Sequence, residues 1–208
     1  MTQTPNYRIV TQNRVIDDIH DLNPTPQEAL SALPKINRWN GHTSKPWSVG
    51  AHSLHMFYVA VKHHNIHDKQ LLLKIFVHDF AEAYIGDVIK PVKNLCPVIE
   101  ETEIDILILL CHQLKLSPTT SKEKSTIKQL DIDCAVTEHA NFFPKHQTCP
   151  IEGKVYPESL HKMADAHYKK VQTFMEYVFV TLTDPDMDAK SVIQHLQPYF
   201  PYPQKEES

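Results

Sequence analysis

Fifteen prolines against four glycines constrain this 208-residue chain more than any other feature of its sequence. Proline locks φ and removes a backbone donor, so it suits helix starts and connections and breaks helix interiors. Here the prolines lie mostly between segments of helical periodicity, the pattern of helices joined by stiff connections. No stretch alternates long enough to suggest a sheet, and no internal repeat or low-complexity tract is present. The expected fold class is all-α, a helical bundle. One domain is expected, since a folding unit takes ~150 residues.

Periodicity places the elements. Pro24-Thr25-Pro26 leads into a helix from about residue 27 to residue 31 or beyond, after an irregular or short-stranded stretch over residues 1–27. Residues 40–46, NGHTSKP, have the chemistry of a loop. Over residues 49–64, Leu54, Phe57, Tyr58 and Val61 form the apolar stripe of an amphipathic helix. A second helix is expected over residues 68–85, with Leu72, Ile75, Phe76, Phe80 and Ala83 inward and Gly86 as its stop. Further helices are expected over 97–115, 122–142, 157–183 and 188–197, with a tail, PYPQKEES, polar enough to fray. The run EETEID at 100–105 suits the positive dipole end of a helix.

Composition excludes several classes. An apolar fraction of 41% can build a core without disulfide staples, and a net charge of -4 gives no global attraction to a nucleic-acid backbone or an anionic membrane. The four cysteines, at 96, 111, 134 and 149, form no CxxC pair, so they are expected to be reduced, without thiolate zinc. The N-terminus lacks an export signal, and the longest apolar run, Ile106 to Cys111, is far short of the ~18 residues of a membrane span. A cytoplasmic protein is expected.

His78-Asp79 carries the chemistry. Within KIFVHDFAEAY these two ionisable neighbours are flanked by Phe76, Val77 and Phe80, where burial is expensive unless a partner such as a cation satisfies them. Adjacent helical positions differ by ~100°, so an ion between the two directions is within reach of both side chains. His52 on the preceding helix and Asp131 on a later one are the candidates to complete a nitrogen and oxygen set with positions left open, as a catalytic metal requires. Glu82 lies three residues after Asp79 and four after His78, placed to orient or deprotonate an attacking water. Asp87, just past Gly86, is positioned for a sugar hydroxyl. The histidines at 63, 64 and 67 sit among Lys62, Asn65, Asp68 and Lys69 and read as a solvated face.

At these residues the chain resembles the HD-domain phosphohydrolases, whose motif is H…HD…D, and among them the small branch of 5′-deoxynucleotidases and phage dATP triphosphohydrolases. Arg38-Trp39 followed by NGHTSKPWSVGAHSLHM is similar to that branch's first motif region, VHDFAEAYIGDVIKPVK to the second and KQLDIDCAVTE to the third. The resemblance spans a core of about residues 21–144, with C-terminal helices over about 145–200 matching no motif. It implies a single HD domain over residues 1–208, ligation of a divalent ion (Mn, Co, Zn, Ni, Fe or Mg) by His52, His78, Asp79 and Asp131, and catalysis by Glu82. It also implies substrate contacts by Arg38, Trp39, Lys45, His55, Asp87 and Pro91, and homo-oligomers. Asp133 is ~200° from Asp131 on a helix. The third motif's aspartate corresponds to Asp131, which leaves Asp133 facing solvent.

The implied substrate is a small nucleotide, with neither a nucleic-acid polymer nor a membrane as partner. Arg38 offers phosphate a bidentate fork, and Trp39 a flat face for a base or a wall against a 2′-hydroxyl. His42, Lys45, His55, Lys90 and Lys93 add a local cationic surplus, which favours a deoxynucleoside triphosphate cut to deoxynucleoside and triphosphate. The alternative is a 5′-deoxynucleotidase acting on monophosphates. A non-catalytic nucleotide sensor or scaffold and a signalling-nucleotide hydrolase are the competing classes; the complete set of candidate ligands and the Arg38-Trp39 pair respectively argue against them.

Overall fold

Proline and a threonine cap start the first helix. In the computed structural model Thr25 accepts a hydrogen bond from the Glu28 backbone N–H, and Pro26 takes the first position of α1 (Pro26–Ala32). Residues 9–11, 13–16 and 21–202 are described. The expectations for residues 1–8, and for 203–208 of the tail, lie outside the described residues. Ahead of α1, β1 (Ile9–Val10) and β2 (Val15–Ile16) form a small antiparallel hairpin, with Ile9 opposite Ile16. It is the one sheet among the described residues, and the rest of the architecture is helical.

α2 (Val49–Lys62), capped by Ser48, is buried from Val49 through Val61. It is therefore a central helix, and the amphipathic stripe expected over 49–64 is corrected: residues between the stripe positions, His52, Ser53 and His55 included, are equally hidden. A 3-10 turn (Leu33–Lys35), α3 (Lys69–Phe76), α7 (Ser121–Phe142), α9 (Tyr168–Thr183) and α10 (Ala189–Leu196) all pack on it. Gly50 makes one of these approaches possible, since a Cβ there would lie 3.0 Å from the Pro34 backbone nitrogen and 2.6 Å from Met175 Sδ.

The helix expected over 68–85 is interrupted. α3 stops at Phe76, Val77 takes φ -95° and ψ 4°, and tight turns lead to α4 (Glu82–Ile85). In this stretch the N–H groups of Phe80, Glu82, Ala83 and Tyr84 each bond a carbonyl three residues back, the tightened pattern of a 3-10 turn. Gly86 ends α4 with φ +82°, which favours glycine. The short α5 (Lys90–Leu95) precedes α6 (Pro97–Gln113), an edge helix that buries only Ile106 and Leu110.

The single helix expected over 157–183 is also corrected: residues 143–160 are an irregular segment with a turn at Pro144–Gln147, α8 (His161–Ala164) is one turn, and α9 begins at Tyr168 after the break at Asp165, Ala166 and His167. Asp133 explains how that segment is held. It is buried and accepts hydrogen bonds from Gln129 Nε2 (2.8 Å), the Lys154 N–H (2.9 Å) and the Tyr156 hydroxyl (3.3 Å). It does not face solvent, because residues 150–156 cover that side of α7. The solvated face expected for the histidine run is corrected at His63, which pairs with buried Glu158 and stacks on Tyr156, while His64 bonds the Tyr156 hydroxyl at 2.6 Å from the surface. His64 and His67 are exposed, His67 beside Asn65, and His63 is half-buried.

Candidate metal centre

Three elements converge on one point. α2 contributes His52, the turn after α3 contributes His78 and Asp79, and α7 contributes Asp131. Ligand atoms of His52, His78 and Asp131 lie within 4.8 Å of one another. Asp79 joins them, its Oδ1 3.1 Å from His78 Nε2 and its Oδ2 3.7 Å from His52 Nε2, while Asp131 Oδ1 is 3.5 Å from that same nitrogen. Donors holding an ion at roughly 2.1 Å stand about 3–4 Å apart, so these spacings suit a shared cation.

The outer nitrogens decide the chemistry of the inner ones. His78 Nδ1 is 2.8 Å from the Ile75 carbonyl, which can only accept, so Nδ1 carries the proton and donates. His52 Nδ1 donates to Glu138 Oε1 at 2.5 Å. In each neutral ring Nε2 then holds a bare lone pair, and both Nε2 atoms are buried without a hydrogen-bond partner. Two orphaned imidazole nitrogens facing two carboxylates fit a divalent cation, and this donor set accepts several.

Glu138 was not singled out from the sequence. It is fully buried, two turns after Asp131 on the same face of α7, and its Oε2 accepts from Arg38 Nε (3.2 Å) and Trp39 Nε1 (2.9 Å). A carboxylate behind a ligating imidazole fixes its orientation and raises its basicity. The seven-residue spacing from Asp131 was the signal available. Burial and the Arg38 charge pull the His52 imidazolium down, yet Glu138 and Asp131 outweigh them and hold it up, to about 9. A proton and a cation thus compete for the same Nε2 lone pair.

The carboxylates divide into two kinds. Burial opposes ionisation of Asp79, but His78, His52 and Arg38 hold it down at about 2, and the same groups hold Asp131 well below the usual range. Glu82 goes the other way: burial first, then repulsion from Asp79 and Asp87, pushes its carboxyl up to about 10. Its Oε2 has no partner and its Oε1 is 3.9 Å from Lys93 Nζ. Burial also raises Asp87, with Arg38 opposing and Asp79 adding to the shift. Carboxyl groups pushed apart in this manner are suited to different tasks, charge binding for Asp79 and Asp131, proton handling for Glu82.

The remaining expected contacts are scattered. Arg38 is at the cluster, 3.3 Å from Asp79 Oδ2 and 3.9 Å from Asp131 Oδ1. Trp39, at φ +57°, packs edge-on against His139 and Phe143. Lys45 pairs with Asp165 at 2.6 Å, and Pro91 is exposed at the start of α5. His55 is wholly buried beside Trp47, Tyr156 and Phe200, its imidazolium pushed down to about 3 by burial. Lys90 pairs with Glu100 and Lys93 with Glu103.

The four cysteines are free, and among the described residues no helix is long and apolar enough to cross a membrane. No protein-family model and no curated protein matches this chain.

Proposed function

We propose that this protein is a metal-dependent phosphohydrolase of HD type acting on deoxynucleotides. The observation that carries the reading is the pair of partnerless Nε2 atoms, His52 and His78, directed at Asp79 and Asp131 with Glu82 alongside. The order of these residues in H…HD…D, and their resemblance to the deoxynucleotide branch, support the substrate class.

The residues assign themselves roles by position. Arg38 brings a planar fork of donors to the cluster and neutralises phosphoryl oxygens. Glu82 takes a proton from the attacking water as its oxygen bonds to phosphorus and the ester bond to the sugar oxygen breaks; that proton then passes to the leaving oxygen. A divalent cation, when bound, supplies Lewis acidity toward the phosphoryl oxygens and lowers the pKa of a coordinated water.

The preference for a triphosphate rested on a cationic surplus, and Lys45, Lys90 and Lys93 each have a carboxylate partner while His55 is buried. Cleavage of the 5′ phosphoester is the step common to mono- and triphosphates. Incubation with Mn, Co or Mg and a panel of both, with products separated by chromatography, tests the proposal. Triphosphate released from dATP marks one substrate class and phosphate released from dAMP the other. No hydrolysis with any metal removes the hydrolase reading in favour of a sensor or scaffold.

A further inference from the structure

α6 carries apolar residues on every side and is barely covered. Only Ile106 and Leu110 are buried, while Val98, Ile104, Ile108 and Leu109 are 44–64% exposed. A helix apolar all round is ordinarily buried all round. Ile108 is two residues from both Ile106 and Leu110, so it points ~200° away from each, out of the bundle. Glu101 and Ile104 precede it on that outer face and His112 follows it, all exposed, and exposed Lys115 lies just past the helix end. At the corner between α5 and α6 the patch runs on to Leu95, 86% exposed. Leu95, Val98, Ile104, Ile108 and Leu109 together present roughly 600 Å² of surface, the scale at which an exposed apolar patch marks an interaction site.

We propose that a second copy of this chain covers this face, the two α6 helices crossing close to antiparallel about a two-fold axis at Ile108. The inference does not rest on the phosphohydrolase reading. Charge selects both the occupant and its direction. In the acidic run Glu100 is paired with Lys90 and Glu103 with Lys93, whereas Glu101, Asp105, His112 and Lys115 have no ion-pair partner among the described residues. The face is thus acidic toward one end, basic toward the other and apolar between, with Ile108 near its middle. A two-fold axis across such a face makes the patch its own complement. Glu101 and Lys115 lie seven residues to either side of Ile108, so the axis brings Glu101 of each copy opposite Lys115 of the other. Ile104 comes opposite His112, with Asp105 beside it, and Ile108 meets its own counterpart. Parallel pairing would instead set Glu101 on Glu101 and Lys115 on Lys115, like charge against like. With these charges as a polar rim, the apolar patch approaches the ~800 Å² that each partner of a standard interface covers.

Light scattering on the full chain after size exclusion should give twice the 24.0 kDa of one copy. Ile108→Asp sets two carboxylates against each other on the axis and should raise the dissociation constant of the dimer by ~100-fold or more. Its circular dichroism should remain that of the folded chain, because Ile108 is exposed in the single copy. The two-fold counts every contact twice, so Glu101→Lys alone and Lys115→Glu alone should each weaken association by roughly tenfold, and the two together should restore it. A monomeric unsubstituted protein, or a dimer that Ile108→Asp leaves intact, overturns the proposal. Failure of the combined charge exchange to recover what either single change loses overturns the antiparallel order.

Discussion

Glu138 never faces the substrate, yet the cluster depends on it. It fixes the His52 ring so that Nε2 faces Asp79 and Asp131, and it holds Arg38 and Trp39 against the same point. Glu138→Gln should therefore weaken metal affinity by roughly 10–100-fold, the scale of losing a partner behind a ligand, as read by titration against a chelator. Unchanged affinity would reduce Glu138 to a packing role. Glu82→Gln should retain bound metal and lose turnover by ~100-fold or more, because the side chain is kept in place and its proton traffic is not. Near-normal turnover would take Glu82 out of the chemistry. At this scale much was legible: His78 and Asp79 stand out as polar residues in apolar surroundings, Glu82 by its spacing from them, and His52 and Asp131 by the motif the chain resembles, and the structure brings His52, His78, Asp79 and Asp131 together. Glu138 escaped because a carboxylate that serves another side chain resembles ordinary helix charge.

Among the elements, the segment over 143–160 departs furthest from expectation. No period marks it, and it is fastened by polar contacts rather than by an apolar stripe. Asp133 and Tyr156 fasten it to α7, and His63 and His64 fasten it to the end of α2. Asp133→Ala would leave the Lys154 N–H and the Tyr156 hydroxyl unpaired, so thermal unfolding should shift down by roughly 3–10 °C. An unchanged melting temperature would show that the segment is held by packing alone. Asp131 and Asp133 do point apart, but Asp133 does not face solvent, because chain distant in sequence covers the far side of α7. The same blindness to long-range cover made α2 look amphipathic. The break after Phe76 had no proline or glycine to announce it, and it changes how the site is built: His78 and Asp79 belong to tight turns between two helices, not to a continuous helix.

Across the whole molecule, one polar knot ties the N-terminal hairpin to the bundle. Glu28 on α1 accepts from Arg14 Nε (3.1 Å) and Nη2 (3.0 Å), from the Thr11 hydroxyl (2.8 Å) and from the Tyr84 hydroxyl (2.9 Å) on α4. Burial works against its ionisation, but Arg14, Thr11 and Tyr84 prevail and hold it at about 2, below the usual carboxylate range. The stabilisation is complete above that usual range and disappears as pH falls toward about 2. Melting temperatures of the protein and of Glu28→Gln should differ near neutrality and converge in acid; a constant gap across that window would contradict the linkage. The mostly helical architecture could be read from proline placement, while this knot joins residues far apart in sequence and left no local sign. The longest helix sets a further condition on the molecule. Along α7, between the Thr120 cap and Phe142, Asp131 and Glu138 lie two turns apart on one face, and both serve His52. Loss or gain of one residue between Asp131 and Glu138 would rotate one against the other by ~100°. Such a change can keep both carboxylates, yet Glu138 would no longer stand behind the His52 ring whose Nε2 faces Asp131. Lineages descended from this chain can therefore exchange residues along α7 far more freely than they can change its count, and length becomes the inherited quantity there.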